Sequence, residues 1–229
     1  MDQAKYLEMV KRNPYTLEHI ENPSEDIMLE AVRRNGMVLQ YIKNPPLNVA
    51  EAAIENEARA IQFLSDPPAD LAKKAICKSW ANLEYIHNPS RELITTALSY
   101  SGWAIKYVRD PDEALQLEAV KKNFDAVKYI DNPSQEIQEA AAAQSYAALR
   151  YIDDPVFSAE ALAVKNDEQA LRFIKNLTTE KFIALFKINS LILKYMPPNF
   201  AVAVDDVEKA LRQTVAAPDV DEKYIRDLI

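Results

Sequence analysis

The sequence predicts an all-α protein, an α-solenoid of 22-residue two-helix repeats closed by a C-terminal helical cap. Three observations carry this. Aromatic residues recur at Tyr41, Phe63, Tyr85, Tyr107, Tyr129, Tyr151, Phe173 and Tyr195, each 22 residues from the next without insertion. Prolines keep the same register at Pro23, Pro45, Pro67, Pro89, Pro111, Pro133 and Pro155. Only two glycines, Gly36 and Gly102, stand in 229 residues, too few for the φ > 0 turns of hairpins and phosphate loops.

With the proline as position 1, the repeat reads "PSEDIMLEAVRRNGMVLQYIKN", and eight copies run over 23–198. Residues 1–22 form a degenerate N-terminal unit, with His19 in the tyrosine slot, and 199–229, "FAVAVDDVEKALRQTVAAPDVDEKYIRDLI" after Asn199, leave the pattern as two helices broken at Ala217-Pro218. Twenty-two residues suffice for two short helices. The first is expected to start at the Asn/Asp-Pro step, with Asn44, Asp66, Asn88, Asp110, Asn132 or Asp154, or else the following Ser24, Ser90 or Ser134, as N-cap. It buries positions 5, 9 and 10 on one face.

Position 9 is Ala31, Ala53, Ala75, Ala97, Ala119, Ala141 and Ala163. A column of alanine sets a close approach between stacked helices. The second helix begins at Asn35, Ser79, Ser101, Asn123, Ser145, Asp167 and Asn189, N-caps worth ~1 kcal/mol each, and buries positions 16, 17 and 20. Such a hairpin cannot cover its apolar stripe alone and becomes stable through its neighbours. The tyrosine ladder is therefore read as an interlock, at the edge of the buried arc.

The "NPSEDIMLEAVRRN" pattern is similar to the short two-helix repeats of the leucine-rich-repeat-variant and HEAT-like class, and resembles 22-residue repeats in uncharacterised proteins of bacteria and bacteriophages. The resemblance implies a binding scaffold, without shared catalytic residues.

Composition narrows the function. With 48% apolar and 27% charged residues the chain is an ordinary core-former, and a net charge of −8 repels polyanions unless a local basic patch opposes that field. No run reaches the ~20 apolar residues of a membrane span, and the N-terminus lacks a secretory pattern, so a cytoplasmic protein is expected; the resemblance implies the cytosol of a bacterium or an infected host. One cysteine, Cys77, excludes an internal disulfide and a multi-cysteine metal site. His19 and His87 fall at unrelated repeat positions, Asp205-Asp206 read as an acidic helix start, and no phosphate-cradling motif is present. The expectation is a protein without enzymatic activity, cofactor or metal.

Positions where the repeat does not repeat point to the site. Position 18 runs Gln40, Gln62, Glu84, Lys106, Lys128, Arg150, Arg172, Lys194, and is wholly basic from residue 106 onward. At ~10 Å between stacked helices these five cations would form a stripe roughly 40 Å long. Trp80, Phe124 and Tyr146 at position 14, expected on that face, Trp103 at position 15 and Arg109 and His87 at position 21 add to it. Solvated lysines and arginines, some paired as Glu168 with Arg172, are the plain alternative. Aromatic and arginine side chains dominate binding hot spots, which favours a recognition surface for an acidic protein partner. By resemblance the chain would be an adaptor or inhibitor docking on a host complex. Phosphate-backbone binding is the rival, since a basic stripe with interleaved aromatics is its expected footprint; it ranks second because the chain carries −8 and positions 11 and 12 supply only scattered charge (Arg33, Arg34, Lys78, Lys121, Lys122, Lys165, Lys187), and a small-molecule sponge is the third reading.

Overall fold

A computed structural model describes residues 3–198, together with Phe200 and Lys209. The described residues form eighteen helices, long and short in strict alternation, an α-solenoid arrangement of short repeats. Contacts divide the chain into two compact halves, Met1–Pro111 and Asp112–Ile229. In the first half the long helices are Gln3–Arg12, Glu25–Arg34, Leu47–Asn56, Ala69–Lys78 and Arg91–Tyr100, and the short ones Pro14–His19, Gly36–Tyr41, Ala58–Phe63, Trp80–Tyr85 and Gly102–Tyr107. In the second half the long helices are Glu113–Lys122, Gln135–Gln144, Phe157–Asn166 and Thr179–Ile188, and the short ones Phe124–Tyr129, Tyr146–Tyr151, Glu168–Phe173 and Ser190–Tyr195. Residues 1–22 thus contain the same helix pair as the regular copies. The expected cap over 199–229 lies outside the described residues, except that the Phe200 ring packs 5.6 Å from that of Phe182.

Each repeat is a ten-residue α-helix, a one-residue joint, a six-residue 3₁₀-helix and a five-residue return. The joint does two jobs. Asn35, in extended conformation, closes the helix before it by donating its N–H to the Ala31 carbonyl (3.0 Å). Its own carbonyl then accepts from Val38 N–H (3.2 Å) while its side chain accepts from Met37 N–H (2.9 Å), starting the next helix on an i to i+3 bond. Ser101, Ser145, Asp167 and Asn189 cap in the same way, whereas Ser79 makes no such side-chain bond.

Of the two expected caps of the long helix, the position of Ser24, Ser90 and Ser134 holds and the preceding Asn/Asp does not. Asn22, Asn44, Asn88, Asp110, Asn132 and Asn176 sit at φ of 48–51°, the left-handed region that Asn and Asp tolerate best among residues with a Cβ. They turn the chain rather than cap it. The cap is position 2, where Ser90, Asp112 and Thr178 accept from Leu93, Leu115 and Lys181 N–H. Asparagine here performs the turn that glycine performs elsewhere, which accounts for the scarcity of glycine.

The alanine column is sealed: Ala31, Ala53, Ala75 and Ala97 in the first half, and Ala119, Ala141 and Ala163 in the second, are 0% exposed. Successive long helices pack across it within each half. A second seam joins the repeats at the helix ends, where position 12 reaches back to carbonyls of the preceding long helix. Asn56 donates to Arg33 O (2.9 Å), Gln144 to Val120 O (2.7 Å) and Lys78 to Glu55 O (2.6 Å). The orphan carbonyls of one repeat are satisfied by the next.

Candidate recognition surface

The 3₁₀ geometry decides which side chains share a face. With three residues per turn, position 15 lies above position 18, and position 14 lies above the buried position 17. The α-helical expectation that positions 14 and 18 share the outward face is therefore corrected. Trp80, Phe124 and Tyr146 are half-buried, whereas Trp103 is 39% exposed. For the same reason Lys128 pairs with Asp125 at i, i+3 (3.2 Å). Glu168 and Arg172, four residues apart, do not meet.

In the first half, Lys106 Nζ stands 4.5 Å from the Tyr107 ring centre and 5.9 Å from that of Trp80. The two rings are 6.3 Å apart and tilted by 39°. Arg109 and His87 are exposed and line a cleft of about 670 Å³ between the returns of their repeats.

The second half repeats the device. Lys128 Nζ lies 4.9 Å from the Tyr129 ring and 5.8 Å from Tyr151, one repeat on. Arg150 lies over Phe173 (6.0 Å) and Arg172 over Tyr195 (4.6 Å), while Tyr146 packs 5.4 Å from the Phe173 ring. Arg150 and Arg172 are thus seated on the position-19 ring of the next repeat, whereas Lys106 and Lys128 lie nearest the ring of their own. Each such contact is worth ~0.5–1 kcal/mol at an exposed site. The tyrosine column and the basic column are one structure, which sequence reasoning treated as two; their constant adjacency was the available signal.

Charge is distributed unevenly along this ladder. The Asp125 carboxylate neutralises Lys128 at close range and, although burial pulls the other way, holds its ammonium above the usual lysine pKa. Arg150, Arg172 and Lys194 are exposed and pair with no carboxylate among the described residues. Of the supporting charges at positions 11 and 12, Lys78 is held by Glu55 and Arg34 by Glu30. Cys77 is exposed, and its thiol, as a neighbour of the Tyr100 hydroxyl, raises the tyrosine pKa. Among the described residues no three His, Cys, Asp or Glu side chains converge as metal ligands, and no helix is long and apolar enough to cross a membrane.

No protein-family description, curated protein or solved structure matches the chain.

Proposed function

We propose that this chain is a non-enzymatic helical-repeat scaffold that binds an acidic surface of another protein, through the 3₁₀ face carrying Arg150, Arg172 and Lys194 in the second half. Trp103, Lys106 and Arg109 present a smaller basic and aromatic patch in the first half. The observation that carries the reading is the seating of Arg150 and Arg172 on Phe173 and Tyr195 without a carboxylate partner. A guanidinium stacked on a ring keeps its in-plane N–H donors available for a carboxylate, and because it is already held, less side-chain freedom is lost on binding. In line with the resemblance to bacterial and bacteriophage repeats, the partner would be a host protein complex and the role that of an adaptor or inhibitor.

Nucleic-acid binding is the second reading, since cations and aromatic rings do interleave here. Two facts count against it. The ring faces that bases would stack on are occupied by the cations, and the whole chain carries a charge of −8. The test compares wild type with a variant combining Arg150→Glu, Arg172→Glu and Lys194→Glu. Wild type should capture a protein from nuclease-treated host lysate at ~0.15 M salt, a condition that screens weak phosphate contacts, and the variant should not. Capture that disappears with nuclease, or tight binding to DNA or RNA that falls steeply with salt, would overturn the reading.

A further inference from the structure

A second site lies in the first half, where small side chains and a buried polar one meet beside two carboxylates. Between repeats 45–66 and 67–88 a cleft of about 520 Å³ opens beside the short helices. Position 14, which carries Trp80, Phe124 and Tyr146 in three later repeats but Gly102 in another, is Ala58 here, and position 15, variously Met37, Trp103 and Ala147, is Ala81. The two short side chains leave the space unfilled.

Asn82 forms part of its lining. It is 4% exposed and stands at position 16, where other repeats carry Val38, Ala60, Ala104 and Ala126. Its amide nitrogen donates to the Ala75 carbonyl (2.9 Å), but its amide oxygen has no hydrogen-bond partner. The oxygen is not sealed from solvent, and its open lone pairs call for a donor entering the cleft.

The walls repeat that demand. Glu57 occupies the joint where Asn35, Ser101 and Asp167 cap, yet makes no cap bond, and Glu84 stands at position 18; neither carboxylate has an ion-pair partner. Arg59 and Lys78 also line the cleft, and both are engaged. Lys78 is held by the Glu55 carboxylate (3.1 Å) and carbonyl (2.6 Å). Arg59 donates Nε–H to the Tyr85 hydroxyl (3.1 Å) and lies 5.8 Å from its ring centre. With both lining cations so engaged, Glu57, Glu84 and the Asn82 amide oxygen are left for a donor from outside the chain.

We infer that this cleft binds a guanidinium or primary ammonium group, with the Asn82 amide oxygen accepting an N–H and Glu57 and Glu84 supplying the counter-charge. An arginine or lysine side chain of a protein and a free polyamine share that chemistry. The test follows the Asn82 side-chain amide by NMR in the full chain, titrated with a blocked arginine tripeptide, with spermidine, and with n-butanol as a neutral control. The cations should give saturable shifts and the alcohol none. Asn82→Ala, the residue of neighbouring repeats, followed through Tyr85, and Glu84→Gln, an exposed change, should each weaken binding by about tenfold. Tighter binding of the tripeptide than of spermidine assigns the site to a protein side chain, and the reverse order to a polyamine. If neither cation shifts the amide saturably, or Glu84→Gln binds as wild type does, the inference fails.

Discussion

The Lys181 ammonium lies 2.9 Å from Glu160 Oε2 and 3.1 Å from Oε1, joining repeat 155–176 to repeat 177–198 through a carboxylate that is 0% exposed. Both residues break their columns. Position 5, apolar in the other regular repeats, is Lys181, and position 6 in the preceding repeat is Gln138, whose amide bridges Pro133 O (2.9 Å) and Val156 N–H (2.8 Å). The last repeat, which has Leu177 in place of the recurrent proline, is thus tied on by charge as well as by packing.

Burial raises the Glu160 pKa above 4.5, and the Lys181 hydrogen bond and charge oppose that rise. A carboxyl with a raised folded-state pKa favours folding below its unfolded value, and that contribution is lost as pH climbs through the folded value. Lys181→Met removes the opposing pull, so at neutral pH it strands a buried carboxylate, at a cost of ~3–5 kcal/mol. The loss should shrink as pH falls toward 4.5 and the carboxyl takes up its proton. Urea unfolding of the variant at several pH values checks this, and a deficit independent of pH would remove the ion pair from the account.

Gly36 is needed for close approach rather than for backbone freedom, since neither glycine adopts positive φ. A Cβ there would run into the Ala53 carbonyl oxygen and stand 2.9 Å from Glu57 Cβ. The Gly36 N–H also donates to the Asn56 side chain (2.8 Å), which itself holds the Arg33 carbonyl. Gly36→Ala should therefore cost ~1–3 kcal/mol by overpacking, read as a lower urea midpoint. An unchanged midpoint would mean the two repeats sit further apart than described.

Ala119, fully buried between long helices of the second half, sets their spacing. Ala119→Leu should overpack that seam and cost ~1–3 kcal/mol or more, whereas Ala114→Leu, on the exposed side of the same helix, should stay within about 0.5 kcal/mol. Equal thermal melting of the two variants would contradict the register.

How much of this was legible depends on which residues are asked. The period, the alanine column and the joint caps could be read because packing and capping demand the same residue types in every copy. The left-handed Asn could not, since Asn-Pro suits a helix start as well as a turn before one. Nor could the 3₁₀ form of the short helix, because six residues with apolar positions 17 and 20 fit both helix types. That ambiguity moved Trp80, Phe124 and Tyr146 to the wrong face. The cleft at Asn82 was visible only as scattered irregularities, which a structure must bring together before they mean anything.

The two tryptophans test the register of the short helices most directly. Trp80, at position 14, is half-buried against Tyr107 and Lys106 of the next repeat, whereas Trp103, at position 15, is exposed. Trp80→Ala removes a half-buried ring and its aromatic contact, and should cost about 2 kcal/mol of stability, below the ~3–5 kcal/mol of a fully buried tryptophan. Trp103→Ala should stay within about 0.5 kcal/mol in folding. Loss of an aromatic anchor from an interface typically costs ~2 kcal/mol or more, so a partner that engages the first half should bind Trp103→Ala at least tenfold more weakly. Denaturation and binding measured on the same two variants separate these effects. If Trp103→Ala unfolds the chain while Trp80→Ala is silent, the short helices are turned by one residue from the register described, and the proposed surface turns with them.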